Sequence, residues 1–142
     1  MVLVTKDLSE TQNYGRQLGA SCQGGEIIAL VGEMGAGKTT FTQGFAEGLG
    51  VTARITSPTF IIMRSYEVTH PPIETFFHVD LYRLDENAED EVQNLGLPDF
   101  WGKKENVVII EWAERIKDLL PETTTYVTLK VTGDTTRTIE TL

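Results

Sequence analysis

Two unbroken apolar runs organise the chain: Ile27-Ile28-Ala29-Leu30-Val31 and Val107-Val108-Ile109-Ile110. Runs without polar alternation suit strands buried on both faces. A shorter apolar start, Met1 to Thr5, predicts another strand. Ser9-Glu10-Thr11-Gln12 then reads as a capping box that opens a helix. That helix carries Thr11, Tyr14, Leu18 and Cys22 on one stripe and is expected to stop at Gly24-Gly25. After the first run comes a glycine-rich loop, Gly32 to Gly37, and a helix from Lys38. In it Phe41, Phe45 and Leu49 recur every four residues, a stripe that faces a sheet, and Gly48 and Gly50 close it. Ser57-Pro58-Thr59-Phe60 precedes a β-rich stretch from Ile61 to Val68, broken at His70-Pro71-Pro72. Thr75 to Val79 then runs into Asp80, so the two stretches predict an antiparallel hairpin. The acidic run Asp85 to Glu91 predicts the first turn of a helix ending near Gly96, where negative charge suits the helix dipole. A short helix is expected from Ala113 to Leu120, stopped by Pro121. Val127 to Val131 and Thr136 to Leu142 predict a hairpin around Gly133-Asp134. The order is mixed α/β, with one strand–loop–helix unit at its centre.

Composition narrows the class. At 142 residues the chain is expected to be one domain, residues 1–142, large enough to fold without a staple. The single cysteine, Cys22, has no partner for an internal disulfide, and it reads as a small buried residue in a reducing compartment. Twenty-one carboxylates against twelve Lys plus Arg leave a formal charge of −9. Nucleic acid and anionic membrane are repelled by such a surface. The start of the chain lacks the apolar core of a signal peptide, and no segment approaches a membrane span. The expectation is a soluble cytoplasmic protein.

Gly32-Glu33-Met34-Gly35-Ala36-Gly37-Lys38-Thr39 fits G-x-x-x-x-G-K-[ST] without deviation, in the strand-to-helix setting that this phosphate loop needs. The glycines let successive N–H groups point at one phosphate. The helix start adds partial positive charge. Lys38 supplies a point charge to β- and γ-phosphates, and Thr39 a hydroxyl to Mg²⁺. Asp80 and Glu111 each end an apolar run. A carboxylate at the end of a buried strand beside a phosphate loop holds Mg²⁺ or aims a water. Thr59, in its Ser-Pro-Thr turn, is a switch-like hydroxyl for metal or γ-phosphate. His78 lies two residues before Asp80 on the same strand face, where it either tunes Asp80 or satisfies a core hydrogen bond. No Asn-Lys-x-Asp segment marks guanine specificity, which favours adenine weakly, by absence. The six arginines, Arg16, Arg54, Arg64, Arg83, Arg115 and Arg137, are scattered and form no kinase-like lid. The residues alone point to a nucleoside triphosphatase, with a small-molecule kinase as the alternative.

The segments Gly-Glu-Met-Gly-Ala-Gly-Lys-Thr-Thr-Phe (32–41), Ser-Pro-Thr-Phe (57–60), His-Val-Asp-Leu-Tyr-Arg-Leu (78–84), Leu-Gly-Leu (95–97) and Glu-Trp (111–112) occur in the order and spacing of one family. Along nearly its whole length the chain resembles the bacterial TsaE (YjeE) ATPases. The resemblance implies a P-loop NTPase-like α/β domain with a mixed parallel and antiparallel sheet flanked by helices. It implies ATP and Mg²⁺ as ligands. It also implies service to a threonylcarbamoyl transferase subunit and its inactive paralogue, which modify tRNA adenosine 37, with tRNA met through those partners. By carry-over, Gly35, Ala36, Gly37, Lys38, Thr39 and Thr40 hold the phosphates, and Thr39 and Glu111 hold Mg²⁺. Asp80 becomes the Walker-B-like carboxylate, and Thr59 falls in the switch-like segment. Trp112 lies beside the nucleotide and helps to dock the partner, while Thr11 and Arg137 are adenine-side residues. Glu33 and Met34 depart from the aspartate and leucine common in the family.

Overall fold

The computed structural model describes residues 1–55 and 62–142. Its elements are β1 (Val2–Thr5), α1 (Leu8–Ala20), β2 (Ile27–Val31), α2 (Lys38–Gly48), β3 (Met63–His70), β4 (Ile73–Asp80), α3 (Ala88–Asn94), α4 (Leu97–Phe100), β5 (Asn106–Glu111), β6 (Thr125–Val131) and β7 (Arg137–Thr141). The Ser57-Pro58-Thr59-Phe60 turn and Ile61 lie outside the described residues.

The two apolar runs are β2 and β5, and they pair in parallel at the middle of a seven-stranded sheet, order β1-β7-β6-β2-β5-β4-β3. β6 and β4 extend the parallel centre on either side. Antiparallel pairs finish both edges: β3 on β4, and β7 between β6 and β1. Alternate residues of β2 feed two separate cores. Ile28 and Leu30 join Phe41, Phe45 and Leu49 of the α2 region and Ile109 of β5. Ile27 and Ala29 join Val92 of α3, Leu97 of α4 and Ile110 of β5 on the other face. Burial on both sides is why neither run alternates with polar residues.

Several boundaries differ from the sequence expectation. α1 is capped by Asp7, not Ser9: Asp7 Oδ1 accepts from the Glu10 N–H at 2.9 Å, and Glu10 Oε1 accepts from the Lys6 N–H at 3.0 Å. The cap thus lies two residues earlier than Ser9, and Glu10 reaches back past it to the Lys6 N–H. α1 also stops at Ala20, short of Gly24-Gly25. The expected helix from Ala113 to Leu120 is a single 3-10 turn, Ala113–Ile116. The acidic start of α3 and its exit at Gly96 are as expected, and α4 follows at once. Cys22 is buried, its thiol pushed up to about 12 by burial and then by Glu26, which suits an inert core residue.

The buried face of α1 is Thr11, Gly15 and Gly19, with Tyr14 and Leu18 half-buried beside it. The glycines exist for close approach. A Cβ at Gly15 would lie 2.3 Å from the Phe41 carbonyl oxygen, and one at Gly19 would lie 2.1 Å from that of Phe45. α2 answers in kind: a Cβ at Gly44 would lie 2.0 Å from the Gln12 carbonyl, and one at Gly48 would lie 2.1 Å from that of Arg16. The two helices therefore run in the same direction with backbones nearly touching. Arg16 and Glu47 close the rim at 2.7 Å.

In an exposed helix, Gly→Ala gains roughly 0.5–1 kcal/mol. Here the sign reverses, because neither backbone has room to yield. Gly19→Ala and Gly44→Ala are each expected to lose about 1–3 kcal/mol by overpacking, measured by urea unfolding. A gain in stability for either would show that the helices are not in backbone contact.

Candidate functional site

The site is built where β2, β4 and β5 end together. β2 gives way to the glycine loop, in which Gly35 and Gly37 take φ of +81° and +98°. L side chains are strained there. The space above Gly35 is open, with nothing within 4 Å of an added Cβ. α2 starts directly after the loop. The Phe41 N–H is bonded to the Gly37 carbonyl at 2.9 Å. The N–H groups of Lys38, Thr39 and Thr40 precede the first intrahelical bond, and among the described residues no side chain caps this helix. A cavity of about 460 Å³ opens over them. It is lined by Gly35, Gly37, Lys38, Thr39, Thr40, Asp80, Glu111, Trp112 and Arg137, together with Leu8, Met34 and Tyr82.

Strand register brings the carboxylates here. In the parallel β4–β5 pair Asp80 stands opposite Glu111, and in the β2–β5 pair Leu30 stands opposite Glu111. Asp80 is half-buried, and its Oδ1 accepts from the Tyr82 N–H at 2.9 Å. Burial raises its pKa above the usual aspartate range. The Tyr82 N–H and the charge of Lys38 oppose that rise, and the charge of Glu111 adds to it. Glu111 is buried, and its Oε2 lies 2.6 Å from His78 Nε2. The partner of His78 is thus Glu111, on the neighbouring strand.

Lys38 is 7% exposed and folds back over its own loop. Its Nζ donates to the Gly32 carbonyl at 2.6 Å and sits 3.8 Å from the centre of the Trp112 ring. Burial lowers its pKa, while Glu111, Glu114 and Asp80 pull it upward. Trp112 follows Glu111 with φ +60°, a left-handed conformation rare for an aromatic residue. That turn swings the indole from the end of β5 onto Lys38. Tyr82 packs on its ring at 5.3 Å. Arg115 donates to the carbonyls of Leu81, Tyr82 and Leu84, tying the chain after Asp80 to the chain after Glu111.

Arg137 is buried at the start of β7 and donates to the Gly35 carbonyl at 3.2 Å, as well as to Gly133 and Thr136. It braces the glycine loop from β7, two strands away from β2. Two sequence candidates do not line the cavity. Thr11 is fully buried, its hydroxyl shared with Thr5 at 2.8 Å, and its methyl would meet a Cβ at Gly37 at 3.7 Å. Ala36 is buried in the core, and its N–H donates to the Glu33 carbonyl at 3.1 Å. Thr59 lies outside the described residues.

The sequence reading missed Leu8, Met34, Tyr82 and the Arg115 tie. Leu8 and Met34 are exposed apolar residues on a cavity rim, and a rim has no sequence signal. Arg115 was one of six scattered arginines, and its carbonyl partners are unrelated to it in sequence.

The raised pKa of Asp80 gives a pH test. A carboxyl with a folded-state pKa above its unfolded value binds protons more tightly when folded. Its ionisation therefore penalises folding, from the unfolded value (near 3.9) upward, and the penalty is complete above the folded value. Asp80→Asn keeps an oxygen for the Tyr82 N–H and removes the charge. It is expected to raise the Tm of the ligand-free protein at pH 7–8, with the gain shrinking towards zero near pH 4. A gain independent of pH would contradict the burial of this charge.

The comparisons with known proteins agree with one another. The family model described as threonylcarbamoyl adenosine biosynthesis protein TsaE matches residues 5–139. The tRNA threonylcarbamoyladenosine biosynthesis protein TsaE of Bacillus subtilis is 38% identical over 135 residues, 95% of this chain and 80% of the relative. Its namesake in Treponema pallidum is 35% identical, with 98% of each chain covered. A crystal structure of YdiB from Bacillus subtilis superposes with a TM-score of 0.75 at 33% identity, spanning 98% of this chain and 82% of the other. With a family model covering nearly all of its length and relatives matched end to end, the chain belongs to the TsaE family.

Proposed function

We propose that this chain is a Mg²⁺-dependent ATPase. In this reading it is an accessory subunit of the assembly that places threonylcarbamoyl on a tRNA adenosine, allowing the transferase to turn over repeatedly. The observation that carries the proposal is the meeting of an uncapped, glycine-led helix start with Lys38, Thr39, Asp80 and Glu111 around one cavity. The names of the relatives support the pathway.

Each group has a role that its position supports. The N–H groups from Lys38 to Thr40 and the backbone at Gly35 and Gly37 take up the phosphate oxygens. Lys38 exchanges the Gly32 carbonyl for the β- and γ-phosphates. Arg137 holds Gly35 in the curve that the phosphates need. Thr39, Asp80 and Glu111 are oxygen donors, and among the described residues no three or more His, Cys, Asp and Glu form a metal-holding group. One or two carboxylates plus a hydroxyl suit Mg²⁺, which keeps several waters and substrate oxygens, better than a metal needing a full protein cage. Bound there, Mg²⁺ would neutralise charge developing on the phosphates. The carboxylates orient a water toward the γ-phosphorus. Its oxygen bonds to phosphorus as the bond to the β–γ bridging oxygen breaks, one proton staying on the phosphate and the other passing to solvent, which releases ADP and phosphate.

The base is held on the side of Leu8, Met34 and Arg137, whose apolar and cationic surfaces line that part of the lining. Trp112 and Tyr82, side by side at the mouth, face the transferase subunit and its inactive paralogue. With a charge of −9, the chain leaves tRNA to those partners in the cytoplasm. Among the described residues no helix is long and apolar enough to cross a membrane.

Lys38→Ala is expected to weaken ATP binding about 10–100-fold, the cost of losing a charge-assisted contact, read by calorimetry. Asp80→Ala and Glu111→Ala should each slow hydrolysis by about 100-fold or more with nucleotide still bound. A hydrolysis rate indifferent to both carboxylates would remove their assignment. The decisive assay counts threonylcarbamoyl-tRNA formed by the transferase pair. Several turnovers with this chain and ATP, and one without, supports the proposal; yields independent of it refute the role. Free tRNA should bind the isolated chain poorly, and tight binding would contradict the charge argument.

A further inference from the structure

His78 is a buried titratable residue that the roles above do not use. It is 0% exposed, so it touches neither nucleotide nor solvent. Its ring lies parallel to that of Phe76, 8° between planes and 6.5 Å between centres. Phe76 packs on Phe45 of α2 at 5.9 Å, and Phe45 on Phe41 at 6.2 Å. An aromatic ladder thus runs from the helix behind the phosphate loop to this imidazole. At the other end of the imidazole, Nε2 meets Glu111 Oε2 at 2.6 Å.

The tautomer follows from the partners. A metal-binding carboxylate only accepts, so the shared proton sits on Nε2. Nδ1 has no partner among the described residues, which a bare lone pair tolerates better than an N–H does. One oxygen of Glu111 is therefore pinned by a rigid, packed donor, and Oε1 is left for the cavity. A glutamate has three free torsions; here the last is set by a ring that cannot turn without disrupting the Phe76 stack.

We propose that His78 is a positioning residue for Glu111. It holds the carboxylate in the orientation that presents Oε1 to Mg²⁺. The inference rests on the reading of Glu111 as a metal ligand. A hydrogen-bonded outer partner of a metal ligand is typically worth about 10–100-fold in metal affinity or activity.

The test compares three variants of the full chain with ADP bound, using Mn²⁺ as the probe and its electron paramagnetic resonance signal as the readout. Hydrolysis is followed in parallel with ATP. His78→Phe keeps the stack and removes the donor. His78→Asn is polar but one methylene too short to reach Glu111. His78→Gln restores an N–H near the position of Nε2. The expected result is a Mn²⁺ Kd weakened about 10–100-fold in His78→Phe and His78→Asn and recovered to within about threefold in His78→Gln. Nucleotide affinity in EDTA should be unchanged throughout. A Tm measured for each variant identifies any that fail to fold, and His78→Asn and His78→Gln carry the comparison if His78→Phe does. Unchanged Mn²⁺ affinity in the folded non-donor variants, beside a weakened Glu111→Gln, overturns the positioning role and leaves the metal reading intact. If Glu111→Gln is also unchanged, the metal reading falls and the positioning role falls with it. Weakening in His78→Gln equal to that in His78→Asn also overturns it, since the donor would then not be what matters.

Discussion

The parallel pairing of β5 with both β2 and β4 is the constraint on which the rest depends. Parallel strands point their C-terminal ends the same way. The loop after β2, Asp80 at the end of β4 and Glu111 at the end of β5 therefore meet at one edge of the sheet. A slip of one residue between β4 and β5 would turn one carboxylate to the opposite face, into the apolar packing against α3 and α4. Full burial of β5, and of Phe76, His78 and Val79 in β4, makes such a slip costly. The core thus specifies the register, and the register specifies the site.

The second requirement is that α2 be held close, because its uncapped first turn lines the cavity. The glycine-lined contact with α1 does this from one side, and Phe41 and Phe45 do it from the sheet side. Arg137 reaches across from β7 to the carbonyl of Gly35. The loop between these supports is short of side chains and exposed at Glu33 and Met34, yet its ends are anchored on every side.

Electrostatically the site opposes the molecule around it. The chain is strongly acidic, and two of its carboxylates converge on the cavity. Among the described residues neither Lys38 nor Arg137, both buried there, has a salt bridge, and each is held by backbone carbonyls. Such cations are under-neutralised, and the carboxylate charges are crowded. Under the proposed function the first condition suits phosphate and the second suits Mg²⁺, so a metal–nucleotide complex would relieve both. The left-handed turn at Trp112 stores local strain at this spot and places an aromatic face under Lys38 in place of a counter-ion.

Short-range chemistry was legible in the sequence. The glycine loop, the strand–loop–helix unit, both hairpins and the carboxylates that end β4 and β5 each depend on contiguous residues or a fixed spacing. So does the two-sided burial of β2 and β5, since unbroken apolar runs have no other stable home. The cap of α1 was legible in principle, but two overlapping capping patterns compete there and only packing chooses Asp7. What the tertiary structure alone decided is which distant residues meet. His78 was placed correctly on its strand, but its partner lies across a strand boundary and depends on register. Thr11 looked available and is sealed by Thr5 and the glycine contact. Arg115 and Arg137 gained their roles from carbonyls far away in the chain. Spacing along one segment can be read from residue order, because backbone geometry repeats. Contact between segments depends on strand order and register, which the whole core selects at once.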